Sequence, residues 1–186
     1  MRKKIPVAIL ASGGIDSTAL IHRYRVAKDP VHVVHFQYGQ PSGRSELKSV
    51  KLVCKHFNVK LAIVNLGFRM FLRGYEFLGR NALFVLAACS LGPPPLRVCL
   101  GLNRGPEYYD ISQRFVTDCQ RLLDGYFGGT VVLEAPLVDY SKRDIIRYCK
   151  QRQIPLGLTY SCQAKNSPPC GHCPSCLDRE KFLGEK

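Results

Sequence analysis

The sequence predicts an α/β fold: a parallel five-stranded sheet with helices on both faces, followed by a small C-terminal lobe built around cysteines. Three observations predict it. Short apolar, β-branched runs alternate with stretches of helical period over residues 5–151. A Gly-Gly turn ends the first apolar run and opens the first helix. Four of the nine cysteines crowd into residues 162–176, where large aliphatic side chains thin out.

Each element has its own signal. Residues 5–10 form a short apolar run that stops at glycine, a buried strand. A helix over 16–27 follows and ends at Lys28-Asp29-Pro30. Residues 31–36 are β-branched and read as a second strand. Val50, Val53, Cys54 and Phe57 fall at i, i+3, i+4 and i+7, one face of a helix. Residues 59–64 give a third strand. A helix over 81–90, with Leu83, Leu86, Ala87 and Ser90 on its inner side, ends at Pro93-Pro94-Pro95. Residues 96–100 give a fourth strand. Asp110-Ile111-Ser112-Gln113 caps a helix whose inner face is Phe115, Cys119 and Leu122. Residues 130–133 are the fifth strand, and Ser141-Lys142-Arg143-Asp144 starts a last helix running to about Gln151. Strand–helix alternation of this kind builds a parallel sheet covered on both sides.

Composition narrows the class. The chain has 186 residues, 46% hydrophobic and 22% charged, enough for one buried core without staples. No apolar stretch is long enough for a bilayer, and Met1-Arg2-Lys3-Lys4 with its brief apolar run is too short and Gly-rich for a secretion signal. A cytoplasmic protein with no membrane partner is expected. Lysine and arginine number 27 against 14 acids, a net charge of +13. The excess is spread along the chain, +5 over 1–50, +3 over 51–139 and +5 over 140–186, with no Lys/Arg block. A solvated basic surface around an anionic ligand is therefore favoured over nucleic acid as the partner. Cys54, Cys89, Cys99, Cys119 and Cys149 sit at apolar positions of the elements above and read as core.

The turn Ala11-Ser12-Gly13-Gly14-Ile15-Asp16-Ser17-Thr18 lies where an open α/β sheet binds ligands, beyond the carboxyl end of a strand. Two glycines allow close approach of the backbone, the helix start offers free N–H groups, and Ser12, Ser17 and Thr18 offer hydroxyls. Together they suit phosphate or pyrophosphate. No Gly-Lys-Ser/Thr closes the loop and no third glycine follows, so it is neither a Walker loop nor the dinucleotide fingerprint. The competing reading is a plain tight turn with an N-cap.

The second cluster is Cys162-x7-Cys170-x2-Cys173-x2-Cys176, with Gly171 and Pro174 between ligands. Four thiolates at this spacing suit one tetrahedral Zn²⁺, with an iron–sulfur cluster or bare thiols as the alternatives. A four-thiolate zinc has no open position, so it holds the tail and does no Lewis-acid chemistry. His172 lies inside the knot but is not needed as a ligand.

Ser12-Gly13-Gly14-Ile15-Asp16-Ser17 resembles the signature of the PP-loop ATP pyrophosphatases, which cleave ATP between its α and β phosphates. With the four-cysteine tail, the chain resembles the 7-cyano-7-deazaguanine synthase family, the nitrile-forming enzymes of the queuosine pathway. Phe36-Gln37-Tyr38-Gly39-Gln40 with Glu46, Gly79-Arg80-Asn81 with Leu83-Phe84, Thr159-Tyr160-Ser161-Cys162, and Cys170 to Cys176 with Arg179 carry that resemblance over essentially the whole chain. It implies a Rossmann-like PP-loop domain over 1–154 and a zinc-binding tail over 155–186. It implies ATP and Mg²⁺ at Leu10, Ala11, Ser12, Gly13, Gly14, Ile15, Asp16, Ser17, Thr18, Gln37, Tyr38, Gly79, Arg80 and Asn81. Asp16, Ser17 and Arg80 would serve catalysis, and Cys162, Cys170, Cys173 and Cys176 would hold zinc. Arg80 also reads as an exposed helix-start residue, Asn81 as a cap, and Glu46 and Asp110 as acids near helix starts. The implied partners are a small deazapurine carboxylate and ammonia, and a homodimer is compatible with the reading.

The chain departs from the family in two shortened loops, 67–79 and 103–110, and in Gly39-Gln40-Pro41, where the family has Gly-Gln-Arg and this chain places an arginine only at Arg44. These loops bear on the acceptor. The alternatives are an enzyme that stops at the amide or joins the deazaguanine to a protein amine, or one that adenylates a tRNA base.

Overall fold

The computed structural model describes residues 4–68, 72–73, 76–94, 96–105 and 108–184. Met1 to Lys3, Pro95, Pro106, Glu107, Glu185, Lys186 and parts of the 67–79 loop lie outside the described residues. The elements are β1 (Val7–Leu10), α1 (Ile15–Val26), β2 (Val31–Gln37), α2 (Gly43–Phe57), β3 (Lys60–Asn65), β4 (Leu72–Arg73), β5 (Glu76–Phe77), α3 (Arg80–Cys89), β6 (Leu96–Leu100), α4 (Gln113–Phe127), β7 (Val131–Glu134), α5 (Lys142–Gln151) and α6 (Pro174–Leu183).

β3-β2-β1-β6-β7 form one parallel sheet in that order. Central β1 is buried along its length, with Val7 opposite both Val31 and Arg97. A strand buried on both faces cannot alternate polar with apolar, so Val-Ala-Ile-Leu is continuous. α1, α2, α5 and α6 build the core on one face, through Leu20, Ile21, Val50, Val53, Ile145 and Cys149 among others. α3 and α4 build the other, through Phe84, Val85, Phe115, Cys119 and Leu123. The chain adds β2 and β3 on one side of β1, then β6 and β7 on the other. The direction switches between β1 and β6, whose carboxyl ends stay paired while the chain leaving β1 goes to one face of the sheet and the chain leaving β6 to the other, the place where open sheets bind ligands.

Helix ends follow the sequence signals. The Ser112 side chain accepts a hydrogen bond from the Phe115 N–H, and Ser141 and Asp144 form a reciprocal capping box. All five scattered cysteines are buried. Burial pushes the thiols of Cys54 and Cys89 up to about 11 and those of Cys99 and Cys149 up to about 12, far from thiolate reactivity.

Three expectations about faces and elements are corrected. The inner face of α3 is Asn81, Phe84, Val85, Ala88 and Cys89, while Leu83, Leu86 and Ala87 are only half-buried and Ser90 is exposed. α3 is apolar nearly all round, so its period does not choose a side. Phe84 chooses it, stacking on Phe36 with ring centroids 4.3 Å apart. On α4 the third core residue is Leu123, fully buried, and Leu122 is 44% exposed. The step of four from Cys119 keeps the stripe over the sheet. The small antiparallel β4–β5 ladder and α6 were not anticipated, although Pro174 at the first helical turn and Gly184 at φ +72 after the last are ordinary helix punctuation.

Candidate active site and metal centre

The 11–14 turn leaves β1 at the switch point. Gly13 takes φ +81, and a Cβ there would lie 2.8 Å from the Val50 nitrogen and 2.9 Å from Ser49 Cβ. Only glycine lets the turn lie this close to α2. The Ser49 hydroxyl sits 2.8 Å from the Gly13 carbonyl and 2.6 Å from the Leu158 carbonyl, and the Tyr160 N–H donates to Gly13 at 3.0 Å. These contacts hold the Gly13 carbonyl on the α2 side, and the first turn of α1 follows at once with N–H groups that no helical carbonyl can satisfy.

The sequence-predicted loop residues divide. Ser12 is exposed, Gly14 and Asp16 are half-exposed, and these form the rim. Leu10, Ala11 and Ile15 are core side chains, so only their backbone can face a ligand. Ser17 and Thr18 turn their hydroxyls onto the backbone of the turn. Their side chains donate to the Gly14 carbonyl at 3.1 and 2.8 Å, and Thr18 is fully buried with its N–H on that same carbonyl. They shape the turn from inside the helix.

Asp16 meets two groups that its sequence neighbourhood does not reveal. Lys142 Nζ, at the start of α5, lies 2.7 and 2.6 Å from its two carboxylate oxygens, and Asn103 Nδ2 donates to it at 2.9 Å. Asn103 comes from the loop after β6. Gly101 permits the approach, since a Cβ there would sit 3.3 Å from Asp16 Cβ and from the Ser17 nitrogen. The Arg104 N–H donates to the Tyr140 carbonyl at 2.9 Å, tying the Asn103 loop to the one that carries Lys142. The sequence marks Lys142 only as a helix start, so nothing local gives it away.

At the end of β2, buried His35 places Nδ1 2.8 Å from the Ala11 carbonyl and Nε2 2.5 Å from Gln37 Nε2. That pair fits a neutral ring with its proton on Nδ1. Burial lowers its pKa, against the opposing effects of the Ala11 carbonyl and Glu46. Tyr38 packs edge-on to Phe77 and Phe84 and accepts a hydrogen bond from Arg80 at 3.3 Å. Asn81 is buried and donates to the Asp110 carbonyl at 2.9 Å, so it fastens the turn before α4. Burial raises the Asp110 carboxyl, opposed by the Arg80 charge. Glu46 accepts from Gln40 at 3.0 Å and Ser42 at 2.6 Å, bracing the loop that follows Tyr38. Gly79 enters α3 at φ +71.

The four tail cysteines converge, with all four Sγ atoms within 4.8 Å of one another. Cys170 and Cys176 sulfurs are 3.9 Å apart. Tetrahedral Zn–S bonds of about 2.3 Å put sulfurs roughly 3.8 Å apart, so the donor set fits. Backbone N–H groups of Cys170 and Cys173 point at the sulfurs of Cys162 and Cys170 at 3.4 and 3.3 Å. Burial works against the Cys162 thiolate, yet N–H groups of Cys170, Lys165 and Ala164 bring it down to about 6. On α6, Arg179 donates to the Thr159 hydroxyl at 2.9 Å and the Leu156 carbonyl at 3.1 Å. Ser45 on α2 bonds to Asn166 and Ser167, each at 2.9 Å. A cavity of about 470 Å³ opens between Tyr160, Ser161, Ser167 and Arg179, beside the loop. A larger one, about 550 Å³, lies around Tyr24 and Arg97, where Arg97 pairs with Asp29 and Glu134 at 3.4 and 2.9 Å. Exposed Arg23 lines it as well.

A loop of this kind at a switch point, its acid gripped by a lysine from across the crevice, places the chain in the PP-loop class of ATP-using enzymes. The family model described as queuosine biosynthesis protein QueC matches residues 6–83 and 77–186, and the chain belongs to that family. Relatives named 7-cyano-7-deazaguanine synthase align from end to end. The one from Synechococcus sp. (strain CC9902) is 31% identical over 218 positions, covering 100% of this chain and 95% of the relative. Those from Aquifex aeolicus (strain VF5) and Prochlorococcus marinus (strain MIT 9301) are 28% and 26% identical, covering 98% and 97% of the relatives and 98% and 99% of this chain. These alignments run over 217 and 219 positions, more than the 186 residues present, so the relatives carry internal residues that this chain lacks. Among solved structures, NMN synthetase from Francisella tularensis superposes with a TM-score of 0.46 at 11% identity, over 97% of this chain and 77% of that one.

Proposed function

We propose that the chain converts 7-carboxy-7-deazaguanine and ammonia to 7-cyano-7-deazaguanine, using ATP and releasing AMP and pyrophosphate at each of two activations. One observation carries this: the Ser12–Ser17 loop stands at the switch point with Asp16 ready for phosphate chemistry, in a chain that aligns end to end with relatives named for that product. A carboxylate is a poor electrophile. Adenylation gives it a leaving group, ammonia displaces AMP to give the amide, and a second adenylation on the amide oxygen allows elimination to the nitrile.

The residues support these steps as follows. Gly13 and Gly14 let backbone N–H groups close on the departing pyrophosphate, where donors aimed at developing charge count most. Asp16 is the carboxylate that would hold Mg²⁺, a hard cation suited to oxygen ligands, which when bound neutralises phosphate charge. Its oxygens are engaged by Lys142, which brings an ammonium group to the same end of the loop. Arg80, half-buried beside Tyr38, is the second cation facing this end of the sheet. Cys162, Cys170, Cys173 and Cys176 would hold one structural Zn²⁺.

Mass spectrometry of products from ATP, ammonium and 7-carboxy-7-deazaguanine tests the reading. Nitrile with AMP is expected. Amide as the only product would make the chain a ligase of the same class with a truncated reaction, in keeping with its missing internal residues. ADP and phosphate would refute the adenylation chemistry.

A further inference from the structure

The charge that is evenly spread along the sequence is gathered by the fold. Arg44, Lys48, Lys51 and Lys55 stand at i, i+4, i+7 and i+11 of α2, a single exposed stripe. Arg143, Arg147 and Lys150 stand at i, i+4 and i+7 of α5, again all exposed. α1 packs between these two helices and adds exposed Arg23 and Arg25. Of the three acids on these helices, one pairs with a stripe cation and two are held elsewhere. Asp16 is held by Lys142 and Asn103, Glu46 by Gln40 and Ser42, and Asp144 caps Ser141 while pairing with Arg147 at 3.4 Å. The opposite helical layer differs. α4 carries Arg114 and Arg121 with Asp118 and Asp124, and both arginines pair with Asp118.

Helix dipoles do not account for the stripes. Cations offset a dipole in the last turn, which covers Arg23, Arg25, Lys55 and Lys150. Arg44 and Arg143 stand in first turns, where a cation is disfavoured, and Lys48, Lys51 and Arg147 lie between.

We propose that the α1–α2–α5 face docks a nucleic-acid duplex through its phosphate backbone, without reading sequence. Packed helices lie 8–10 Å apart, so the stripes run roughly 16–20 Å apart on either side of α1. The α2 stripe is about 16 Å long at 1.5 Å per residue. A duplex presents a charge every ~1.7 Å, so a segment of that length meets every cation with phosphate. Two other anionic partners fit less well. A membrane surface needs an apolar helix face to bury. Here the apolar faces of α2 and α5 are turned inward as Val50, Val53, Cys54, Ile145, Ile146 and Cys149. An acidic protein needs an aromatic or apolar anchor at the centre of the contact. The large apolar side chains exposed on the three helices are Val26 and Leu52.

The test is fluorescence anisotropy of a labelled 20-base-pair RNA duplex with the full metal-loaded chain between 50 and 200 mM salt. We expect log affinity to fall against log salt with a slope of about −4 to −6, near −0.9 per phosphate contacted. Lys48→Gln/Lys51→Gln/Lys55→Gln should weaken binding at least tenfold at 100 mM salt and flatten the slope by about 3. Arg143→Gln/Arg147→Gln should act the same way with a smaller change. Arg114→Gln/Arg121→Gln on α4 should change nothing. AMP release and Tm should match the unsubstituted protein in all three, so failure here leaves the proposed reaction standing. Absent or salt-insensitive binding overturns the proposal, as does equal weakening by the α4 variant. Tighter binding to phosphatidylserine vesicles through the same stripes would overturn it in favour of a membrane.

Discussion

Gly13 and Gly14 are neighbours in sequence, yet the structure gives them opposite responses to alanine. At Gly13 an added methyl meets the Val50 nitrogen at 2.8 Å and Ser49 Cβ and Oγ at 2.9 Å, with φ at +81. The positive φ costs roughly 1–2 kcal/mol. Forcing a methyl against the backbone of a buried helix costs about 1–3 kcal/mol. Displacing Ser49 from the Gly13 carbonyl adds roughly 0.5–1.5 kcal/mol. The sum, about 3–6 kcal/mol, is a large part of a typical domain's stability. At about 2–4 °C per kcal/mol for this size, Tm should fall by roughly 10–20 °C. At Gly14, φ is −80 and a methyl meets only Ser12 Oγ at 3.4 Å and the Tyr160 carbonyl at 3.7 Å. Gly14→Ala should leave Tm within about 2 °C, because a compatible alanine also restrains the unfolded chain. Its methyl sits at the cradle. A ligand at a hundred times its Kd stabilises by about 2.7 kcal/mol, so ATP with Mg²⁺ should raise the Tm of the unsubstituted chain by several degrees and that of Gly14→Ala by far less. Scanning fluorimetry with and without ATP reads all four numbers. A Gly13→Ala protein melting within 2 °C of the parent would refute the packing argument. Full ATP protection in Gly14→Ala would refute the placement of the phosphates.

Lys142→Met should weaken pyrophosphate and ATP binding at least tenfold by calorimetry while leaving Tm nearly unchanged, and Lys142→Arg should recover part of the loss; unchanged affinity would reduce Lys142 to a partner for Asp16. Cys173→Ser should lower zinc content below one per chain by elemental analysis and increase proteolysis after residue 155, with activity falling as a consequence; full activity in the metal-free protein would separate the knot from the site. Buried His35 sets a pH dependence: its folded pKa lies below the unfolded value near 6.5, so the unfolded chain binds the extra proton. Its contribution is complete above about pH 6.5 and is lost as pH falls below it, by at most ~1.4 kcal/mol per unit. Urea unfolding at pH 7.5 and 5.5 should show that loss, and His35→Asn should remove part of it; His22 and His32, also lowered by burial, add in the same direction.

The sheet was legible because each strand had a bounded apolar run and each helix a cap or a breaker, as with Ser112 and the Ser141–Asp144 box. The face of α3 was not, because a helix apolar on all sides carries no period to read. At the site, the Ser12–Ser17 loop and the four cysteines were legible because their chemistry depends on local spacing. Lys142, Asn103 and Ser49 were not. They lie 126, 87 and 36 residues from the loop atoms they touch, and only the parallel sheet, by bringing every strand's carboxyl end to one edge, makes them neighbours.

A metal bound by the four cysteines would act on this fold by the same long-range logic. Arg179 is one turn from Cys176 on α6, and it holds the Leu156–Thr159 segment by the Leu156 carbonyl and the Thr159 hydroxyl. The next residue, Tyr160, donates its N–H to the Gly13 carbonyl, and Ser49 closes the arrangement by lying between the carbonyls of Gly13 and Leu158. An ion held by the four sulfurs would fix α6; Arg179 on α6 holds the 156–160 segment, and that segment supports the 11–14 turn through the Gly13 carbonyl. The tail places Leu156, Leu158, Phe182 and Leu183 against the α1–α2–α5 core, while its knot proper is lined only by the cysteines with Tyr160 and Ala164. Ordering such a segment costs roughly 1–2 kcal/mol of backbone entropy per residue, which so few apolar contacts do not offset. Zinc ligation, on the order of 10–16 kcal/mol, would offset it. A Gly-rich loop is the part of this site with the most conformational freedom to lose, and a metal-bound knot would hold it in place through the 156–160 segment.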